Sequence, residues 1–255
     1  MFLRIGILLY ENSYFLLAIH VLEHALDYFV KYGDKSGEAR CYANIGAAYH
    51  SLSEYQKAIE YQEKALVIKK EVGDRNGEAI CYQDLGNSYH SLSQYAKAIE
   101  FHERALVIFK EIGNRSGESA CYTNLGLAYH SLSQYAKAIE FYEKALAIFR
   151  EIGDRGGEAA CYTNLGLAYN SLSQYAKAVE YHEKALVIKK DIGDITGTVS
   201  SLAAIAISLL RLGKKQEAMS NAIQAREMLA EMQKRTGQKL PLSDIMEQII
   251  LELKK

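Results

Sequence analysis

Proline, tryptophan and long apolar runs are scarce in this sequence of 255 residues, which contains one proline and no tryptophan. The 18 glycines recur at joints between predicted helices and at fixed places inside them, and the single proline stands at a joint, so neither linkers nor low-complexity segments are expected. No stretch reaches the roughly 18 apolar residues that a membrane-spanning helix requires. The net charge of −1 leaves neither sign in excess, and we therefore expect no nucleic acid and no membrane as partner.

Cysteine is also scarce, and its pattern is not that of a disulfide framework. The four cysteines recur every 40 residues, at Cys41, Cys81, Cys121 and Cys161. Equivalent positions in stacked helix pairs lie roughly 8–10 Å apart, whereas a disulfide requires Cα atoms within about 7 Å. We predict small buried thiols in a reducing, cytoplasmic compartment. Glu11 interrupts the N-terminal apolar run and no small-residue cleavage site follows, which argues against a secretory signal.

Motifs of catalysis and metal binding are missing from the sequence. It has no glycine-rich phosphate loop, no nucleophile elbow and no closely spaced pair of metal ligands. We therefore predict that the protein is not an enzyme and uses no cofactor and no metal.

What the sequence does contain is a repeat of 40 residues, most clearly at residues 113–152. Each copy holds two patterns with apolar residues spaced three and four apart, at about 116–132 and 134–152, and this spacing predicts amphipathic helices. The short connection Ser133-Gln134 predicts an antiparallel helix pair. A single pair cannot bury its own apolar face, so the copies are expected to stack on one another.

The joint between copies is equally regular. Gly153 suits the left-handed residue that follows a helix, and Asp154 suits the cap of the next helix. The same two-residue joint occurs at residues 33–34, 73–74 and 193–194, with Gly113-Asn114 as the one variant.

The core pattern Leu125, Gly126, Tyr129, Ala138 and Ala145 resembles the tetratricopeptide repeat (TPR). This resemblance implies an all-α fold, a right-handed superhelix (α-solenoid) of stacked antiparallel helix pairs. The common repeat has 34 residues. The longer unit here is similar to the repeats of the LGN/Pins family of G-protein signalling modulators, and kinesin light chains carry similar long repeats.

We predict a single array over residues 1–255. It comprises a truncated first repeat at 1–32, regular repeats at 34–73, 74–113, 114–153 and 154–193, and a divergent sixth repeat at 194–232. After a break at Thr236-Gly237 and Pro241, an amphipathic helix at 241–254 is expected to cap the stack.

The resemblance places ligand binding on the concave groove that is lined by the first helix of each pair. An asparagine amide both donates and accepts, so it can hold the backbone of an extended peptide whatever its side chains. The alternative is that these side chains bond the preceding helical turn or water. The candidate peptide-binding residues are Asn44, Gln83, Asp84, Asn87, Thr123, Asn124, Leu127, His130, Thr163, Asn164 and Leu167.

Two further series recur with the repeat. His50, His90 and His130 are too far apart to share a metal ion, so we expect solvated or locally bonded imidazoles, with a pH-sensitive groove as the alternative. The arginines at the joints, Arg75, Arg115 and Arg155, are expected to pair with the glutamate one turn on, or else to form a rim that favours acidic ligands.

These patterns favour a non-enzymatic protein–protein interaction scaffold with a protein or peptide ligand. The alternative is a self-associating structural array, produced by recent duplication or by regularising design, with no single evolved ligand. The first repeat is unusually apolar, with Phe2, Leu3, Ile5, Leu8 and Leu9. Another copy of the chain or preceding sequence is expected to cover it, so a homo-oligomer is possible.

Overall fold

The computed structural model describes residues 1–236 and 242–253, apart from the side chains of residues 235, 236, 242, 245, 252 and 253. Within this part of the chain all regular structure is helical, which confirms the predicted all-α class. The helices are α1 Phe2–Glu11, α2 Phe15–Tyr32, α3 Lys35–Ser51, α4 Tyr55–Glu71, α5 Arg75–Ser91, α6 Tyr95–Glu111, α7 Arg115–Ser131, α8 Tyr135–Glu151, α9 Arg155–Ser171, α10 Tyr175–Asp191, α11 Ile195–Arg211, α12 Lys215–Thr236 and α13 Leu242–Leu253.

The chain divides into two compact units, Met1–Leu132 and Ser133–Lys255. In the first unit each helix from α1 to α7 packs on the next, and the first helices of successive pairs also contact one another (α1 on α3, α3 on α5, α5 on α7). In the second unit the same serial packing runs from α8 to α13. The helix positions follow the repeat pattern, while the repeat boundaries themselves stay a prediction.

The joints between pairs have the predicted geometry. Gly153 has φ +73°, in the left-handed region where glycine is favoured, and the Asp154 carboxylate accepts from the backbone N–H of Gly157 at 2.9 Å. Asn114 caps α7 in the same way, so the one variant joint is equivalent. The remaining capping side chains are Asp34, Asp74 and Asp194.

The turn inside each pair contains a feature that the sequence analysis missed. Ser53, Ser93 and Ser173 adopt φ of 61°, 58° and 57°, a left-handed conformation that is uncommon for a residue with a side chain. The corresponding residue of the sixth copy is Gly213, with φ +75°. The turn therefore requires this backbone conformation in every copy, and the sixth copy meets it without strain.

The core of each pair consists mainly of small residues. All four cysteines are buried, as predicted. Burial raises the pKa of Cys41 to about 11 and that of Cys81 and Cys121 to about 12, so these thiols stay protonated.

The last helix packs on the divergent pair. Met246, Ile249 and Ile250 of α13 are buried in one cluster with residues of α11 and α12. The expected break at Gly237 and Pro241 lies outside the described residues. Within the described part of the chain, no helix combines the length and the apolar character needed to cross a bilayer.

Close packing at the glycines can be tested within helix α9. A Cβ on Gly166 would lie 2.6 Å from Nδ1 of the fully buried His182, whereas a Cβ on Gly156 meets only Asp154 Oδ1 at 3.4 Å. We expect Gly166→Ala to lower the free energy of unfolding by roughly 1–3 kcal/mol through overpacking. Gly156→Ala should leave it unchanged or raise it by about 0.5–1 kcal/mol, because alanine loses less entropy in a helix.

The midpoint of urea unfolding, followed by circular dichroism, measures both variants against the parent. Equal midpoints for the two variants would contradict the packing described for Gly166.

Candidate binding groove

The surface lined by helices α1, α3, α5 and α7 of the first unit is called the groove here, since these first helices contact one another in series. Two pockets open on it. The Asp84 pocket has a volume of about 190 Å³ and is lined by Tyr10, Gly46, Ala47, His50, Gln62, Asp84, Asn87 and Ser88. The Asn124 pocket has about 240 Å³ and is lined by His50, Asn87, His90, Ser91, His102, Asn124 and Leu127.

The two pockets are the same place in successive copies of the repeat. Adding 40 to Gln62 and Asp84 of the first pocket gives His102 and Asn124 of the second, and the same shift relates His50 to His90. The position therefore recurs along the groove while its chemistry changes. Four predicted residues come together in these pockets: Asp84, Asn87, Asn124 and Leu127.

The floor of each pocket is a side chain from the second helix of a pair, and it reaches the groove because a glycine faces it. A Cβ on Gly46 would lie 3.0 Å from Gln62 Nε2, and one on Gly86 would lie 2.7 Å from His102 Nδ1. Sequence reasoning missed Gln62 and His102. A signal was present, since this position varies between nearly identical copies as Gln62, His102, Tyr142 and His182.

The floor position also collects unsatisfied polar atoms. In the described part of the chain, three buried side-chain atoms lack a hydrogen-bond partner: Gln62 Oε1, His102 Nδ1 and His182 Nδ1. Native proteins leave few such atoms, because an unpaired buried polar group costs about 1–3 kcal/mol. All three belong to one repeat position, which in the remaining regular copy holds the fully buried Tyr142.

The Asp84 pocket contains a polar group held by two helices. Gln62 Nε2 donates to the backbone oxygen of Ala43 at 3.0 Å and to Asp84 Oδ2 at 3.1 Å. Burial raises the pKa of Asp84 to about 7. Burial also lowers the pKa of His50, partly offset by a hydrogen bond with the backbone of Asn87, so this imidazole is neutral above pH 7.

The Asn124 pocket has a different floor. His102 is 1% exposed, and burial, with a smaller effect of the nearby His90, lowers its pKa to about 4. Asn124 Nδ2 donates to Asn87 Oδ1 at 3.1 Å, and Leu127 is 37% exposed at the rim. This pocket therefore presents a neutral imidazole, an amide and an apolar side chain.

The histidine series links neighbouring copies. His90 Nε2 lies 3.2 Å from Ser131 Oγ, and His50 Nε2 lies 3.5 Å from Ser91 Oγ, in each case a serine of the next repeat. Both imidazoles are half-buried and lie within hydrogen-bonding distance of a neighbouring side chain, while a pH-sensitive groove stays a prediction. His130 is half-buried.

Several other predicted residues lie outside the two pockets. Two of them hydrogen-bond the preceding turn of their own helix, which was the alternative to peptide binding. Asn44 Nδ2 donates to the Arg40 backbone oxygen at 2.7 Å, and Thr123 Oγ1 donates to Ser119 at 3.0 Å. The hydroxyl hydrogen of Thr123 and one of the two amide hydrogens of Asn44 are thus used within the helix, while their acceptor oxygens remain for a ligand. Gln83 is half-buried on α5.

In the second unit, Thr163, Asn164 and Leu167 lie on α9, and Leu167 is 45% exposed. Thr163 Oγ1 donates to Ala159 at 2.9 Å and accepts from the buried Lys189 Nζ, also at 2.9 Å. Thr163 is therefore largely committed within the fold.

The place equivalent to the pockets in the second unit holds a polar network. Ser208 Oγ donates to Asn170 Oδ1 at 3.0 Å, and Asn170 Nδ2 lies 3.4 Å from His182 Nε2. Burial, followed by the charge of Lys189, lowers the pKa of His182 to about 4.

The joint arginines form the expected ion pairs. Arg75 donates to Glu78 at 2.5 Å, Arg155 donates to Glu158 at 2.5 Å, and Arg115 pairs with Glu118. In each pair the arginine is the more exposed partner and the glutamate is buried. Among the residues that the structure describes, no three His, Cys, Asp or Glu side chains are grouped as metal ligands.

Five overlapping segments of the chain match the family model described as tetratricopeptide repeat. They are residues 1–71, 44–111, 78–151, 118–191 and 158–231. Among curated proteins, none is a significant sequence match.

Solved structures of several kinds share the fold. BtubC from P. vanneervenii aligns with a TM-score of 0.76 at 22% identity, over 84% of this chain and 90% of its own. A signal transduction ATPase with numerous domains and a tetratricopeptide repeat sensor, from Pyrococcus horikoshii, gives 0.85 at 22% identity, over 99% of this chain and 38% of its own. A Rap protein complexed with competence and sporulation factor gives 0.69 at 17% identity, over 99% and 74%. At such identities the likeness shows the fold alone, which confirms stacked helix pairs of the tetratricopeptide type.

The ionisation of Asp84 generates a pH-dependent prediction. Its pKa is raised from 3.8 to about 7, so the folded state holds the proton more tightly than the unfolded chain. Stability from this group is present at low pH and is lost as pH rises from about 4 to 7, by on the order of 4 kcal/mol at most. Asp84→Asn should therefore stabilise the protein at pH 8 and have little effect near pH 4.

Urea unfolding at a series of pH values measures this difference. His102→Gln, which copies the residue found at Gln62, provides a control of opposite sign. Because the pKa of His102 is lowered from 6.5 to about 4, wild type should lose on the order of 3 kcal/mol as pH falls through that window, and the variant should not. Stability differences for Asp84→Asn that do not change with pH would show that Asp84 is not perturbed as described.

Proposed function

This chain belongs to the tetratricopeptide repeat family, and from that premise we propose that it is a non-enzymatic scaffold binding an extended peptide or partner segment in the groove. Folds of this family generally serve as non-catalytic interaction scaffolds. The proposal concerns the groove residues predicted from sequence together with the pocket floors Gln62 and His102.

The observation that carries the proposal is a recurrent pocket with variable lining. The core residues that hold neighbouring pairs together are nearly the same in every copy, as Cys81 and Cys121 illustrate. The pocket position changes from Asp84 with Gln62 to Asn124 with His102. A row of equivalent pockets with different linings is suited to an extended ligand that places successive side chains into successive sites.

The amide groups suit the ligand backbone. Asn124 donates to Asn87, so the Asn87 amide nitrogen and the Asn124 oxygen remain as donor and acceptor between the two pockets. Leu127 adds an apolar contact. The Rap protein in complex with competence and sporulation factor supports the idea that this fold can hold a partner molecule.

We also propose the finer assignments made from the sequence. The 40-residue unit with its Gly-Asp joint supports a likeness to the LGN/Pins type of repeat. Four buried thiols suit a reducing, cytoplasmic compartment.

Loss of the asparagine amides tests the groove. Asn87→Ala combined with Asn124→Ala should weaken a groove-bound peptide by about tenfold, the loss expected when one or two hydrogen bonds disappear. Random linear peptides displayed on phage are selected on the immobilised full chain, and the enriched peptides are then titrated against wild type and variant by fluorescence anisotropy.

A matched control replaces Val107 and Val187 by alanine, since these side chains are 55% and 58% exposed on second helices, away from the pockets. The control should bind the enriched peptides as wild type does. Failure to enrich any peptide, or equal affinity for the groove variant, would reject the proposed function.

A second candidate function, self-association, is favoured by the apolar first pair. Phe2, Leu8 and Leu16 are 55%, 58% and 71% exposed. A further pocket of about 310 Å³ is lined by Met1, Phe2, Leu3, Ala25, Tyr28 and Phe29. Contiguous exposed apolar side chains of this kind commonly mark an interaction surface.

Light scattering after gel filtration tests self-association. If copies of the chain join through this surface, wild type is a dimer, and Phe2→Gln with Leu8→Gln converts it to a monomer because the apolar contact is lost. A monomeric wild type at micromolar concentration, or a dimer that survives both changes, would reject this candidate.

A further inference from the structure

We propose that the Asp84 pocket is a subsite for a basic side chain, arginine or lysine, of the segment bound in the groove. The inference rests on the proposed function and adds the chemistry of one ligand position. It is carried by the hydrogen-bonding groups that line this pocket and by their charge.

At the floor of the pocket, where Gln62 meets Asp84, the unused hydrogen-bonding capacity is for accepting. Both amide hydrogens of Gln62 are committed, one to the Ala43 backbone oxygen and one to Asp84 Oδ2, and both partners are acceptors, which fixes the orientation of the amide. Gln62 is 1% exposed, and its Oε1 has no partner. The remaining acceptors are therefore Gln62 Oε1 and the second oxygen of Asp84, and an occupant must donate to them.

The charge of the pocket selects a cationic donor. Within the described residues Asp84 forms no ion pair, and the copies before and after it carry Asn44 and Asn124 at the same position. A carboxylate that is shielded from water and has no charged partner is strongly stabilised by a nearby cation. A guanidinium or ammonium group would supply both the missing charge and the missing donors.

The other walls of the pocket are compatible with a cation. Tyr10 contributes an aromatic wall, and the face of an aromatic ring attracts cations. His50 is kept neutral by burial, so it adds no repelling charge at neutral or alkaline pH. The volume of about 190 Å³ far exceeds the roughly 10–15 Å³ that a single water requires, so there is room for a side-chain end group.

The pocket one repeat further on lacks these properties. Its floor is the neutral imidazole of His102, and Asn124 replaces the carboxylate. The preference for a basic residue should therefore be confined to one ligand position, and it fixes the register of the bound segment along the groove.

The test uses positional-scanning mixtures of linear peptides, in which one position is held as each amino acid in turn and the others are random. They are bound to the immobilised full chain at pH 8. We expect arginine and lysine at one position to exceed norleucine by about tenfold, the gain of a charge-assisted bond. Asp84→Asn should abolish this preference and leave the preferences at other positions unchanged.

Asp84→Asn gives the third copy the residue of its neighbours, so the variant keeps a side chain that the repeat already accommodates. Asp27→Asn is the charge-matched control, because Asp27 is an exposed carboxylate of the same unit. It should keep the basic preference. If Asp27→Asn lost the preference for a basic residue to the same extent, the preference would arise from net charge alone, and the proposed subsite would be overturned.

The outcomes separate the two proposals. Peptide binding without a basic preference, or with a preference that Asp84→Asn retains, overturns the subsite and leaves the groove function standing. Absence of binding by every mixture overturns both. Agmatine, a free guanidinium compound, is titrated in parallel. Competition with arginine peptides on wild type, and none on Asp84→Asn, supports the subsite, whereas saturation by agmatine with no peptide preference indicates a free cation as ligand.

Discussion

The contact of each first helix with the side chain that lies beneath its glycine is the constraint on which the rest of this structure depends. Gly46, Gly86 and Gly166 allow Gln62, His102 and His182 to pass against the helix backbone, at separations that no Cβ could share. The helices of a pair can then pack closely, and small buried residues such as Ala58 and Ala98 fill the contact. Close packing at the glycine also lets a polar side chain of the second helix reach the groove that the first helices line.

The same contact explains the unusual electrostatics of the groove. A group brought in beneath a helix is shielded from water, and shielding disfavours its charged form whichever sign that charge has. His102 therefore stays neutral at pH values well below the usual pKa of histidine, and Asp84 stays protonated at pH values well above the usual pKa of aspartate. These shifts make opposite contributions to stability as pH changes: the shift of His102 lowers stability at acid pH, and the shift of Asp84 lowers it at neutral and alkaline pH.

Much of the fold was predictable from the sequence because the same local pattern recurs in several copies of the repeat. The glycine and capping residue at Gly153-Asp154, the antiparallel pairs and the buried cysteines all follow from local chemistry. The pocket floors did not follow, since a histidine on an apolar helical stripe looks like a core residue until the glycine opposite it is seen. The left-handed serine at Ser53 was equally hidden, because nothing in a Ser-Leu-Ser-Glu sequence specifies φ. Asn44 was placed on the correct helix, but its amide bonds its own turn, a choice that sequence spacing leaves open.

In a repeat protein, an unusual residue in one copy can be compared directly with the residues at the same position of the other copies. Asn44 and Asn124 show that an amide suffices for packing at the position where Asp84 buries a carboxylate. Gln62 then leaves an acceptor without a donor beside that carboxylate. Both features lower the stability of the protein when no ligand is bound. Proteins that otherwise follow the local rules tend to keep such destabilising groups at sites where a ligand satisfies them. A cationic donor entering from the groove would bond the free oxygen of Gln62 and neutralise the charge of Asp84 together. An asparagine at position 84 would offer that donor neither a negative charge nor a second carboxylate oxygen. The stability lost in the third copy and the specificity proposed for it thus have one physical origin.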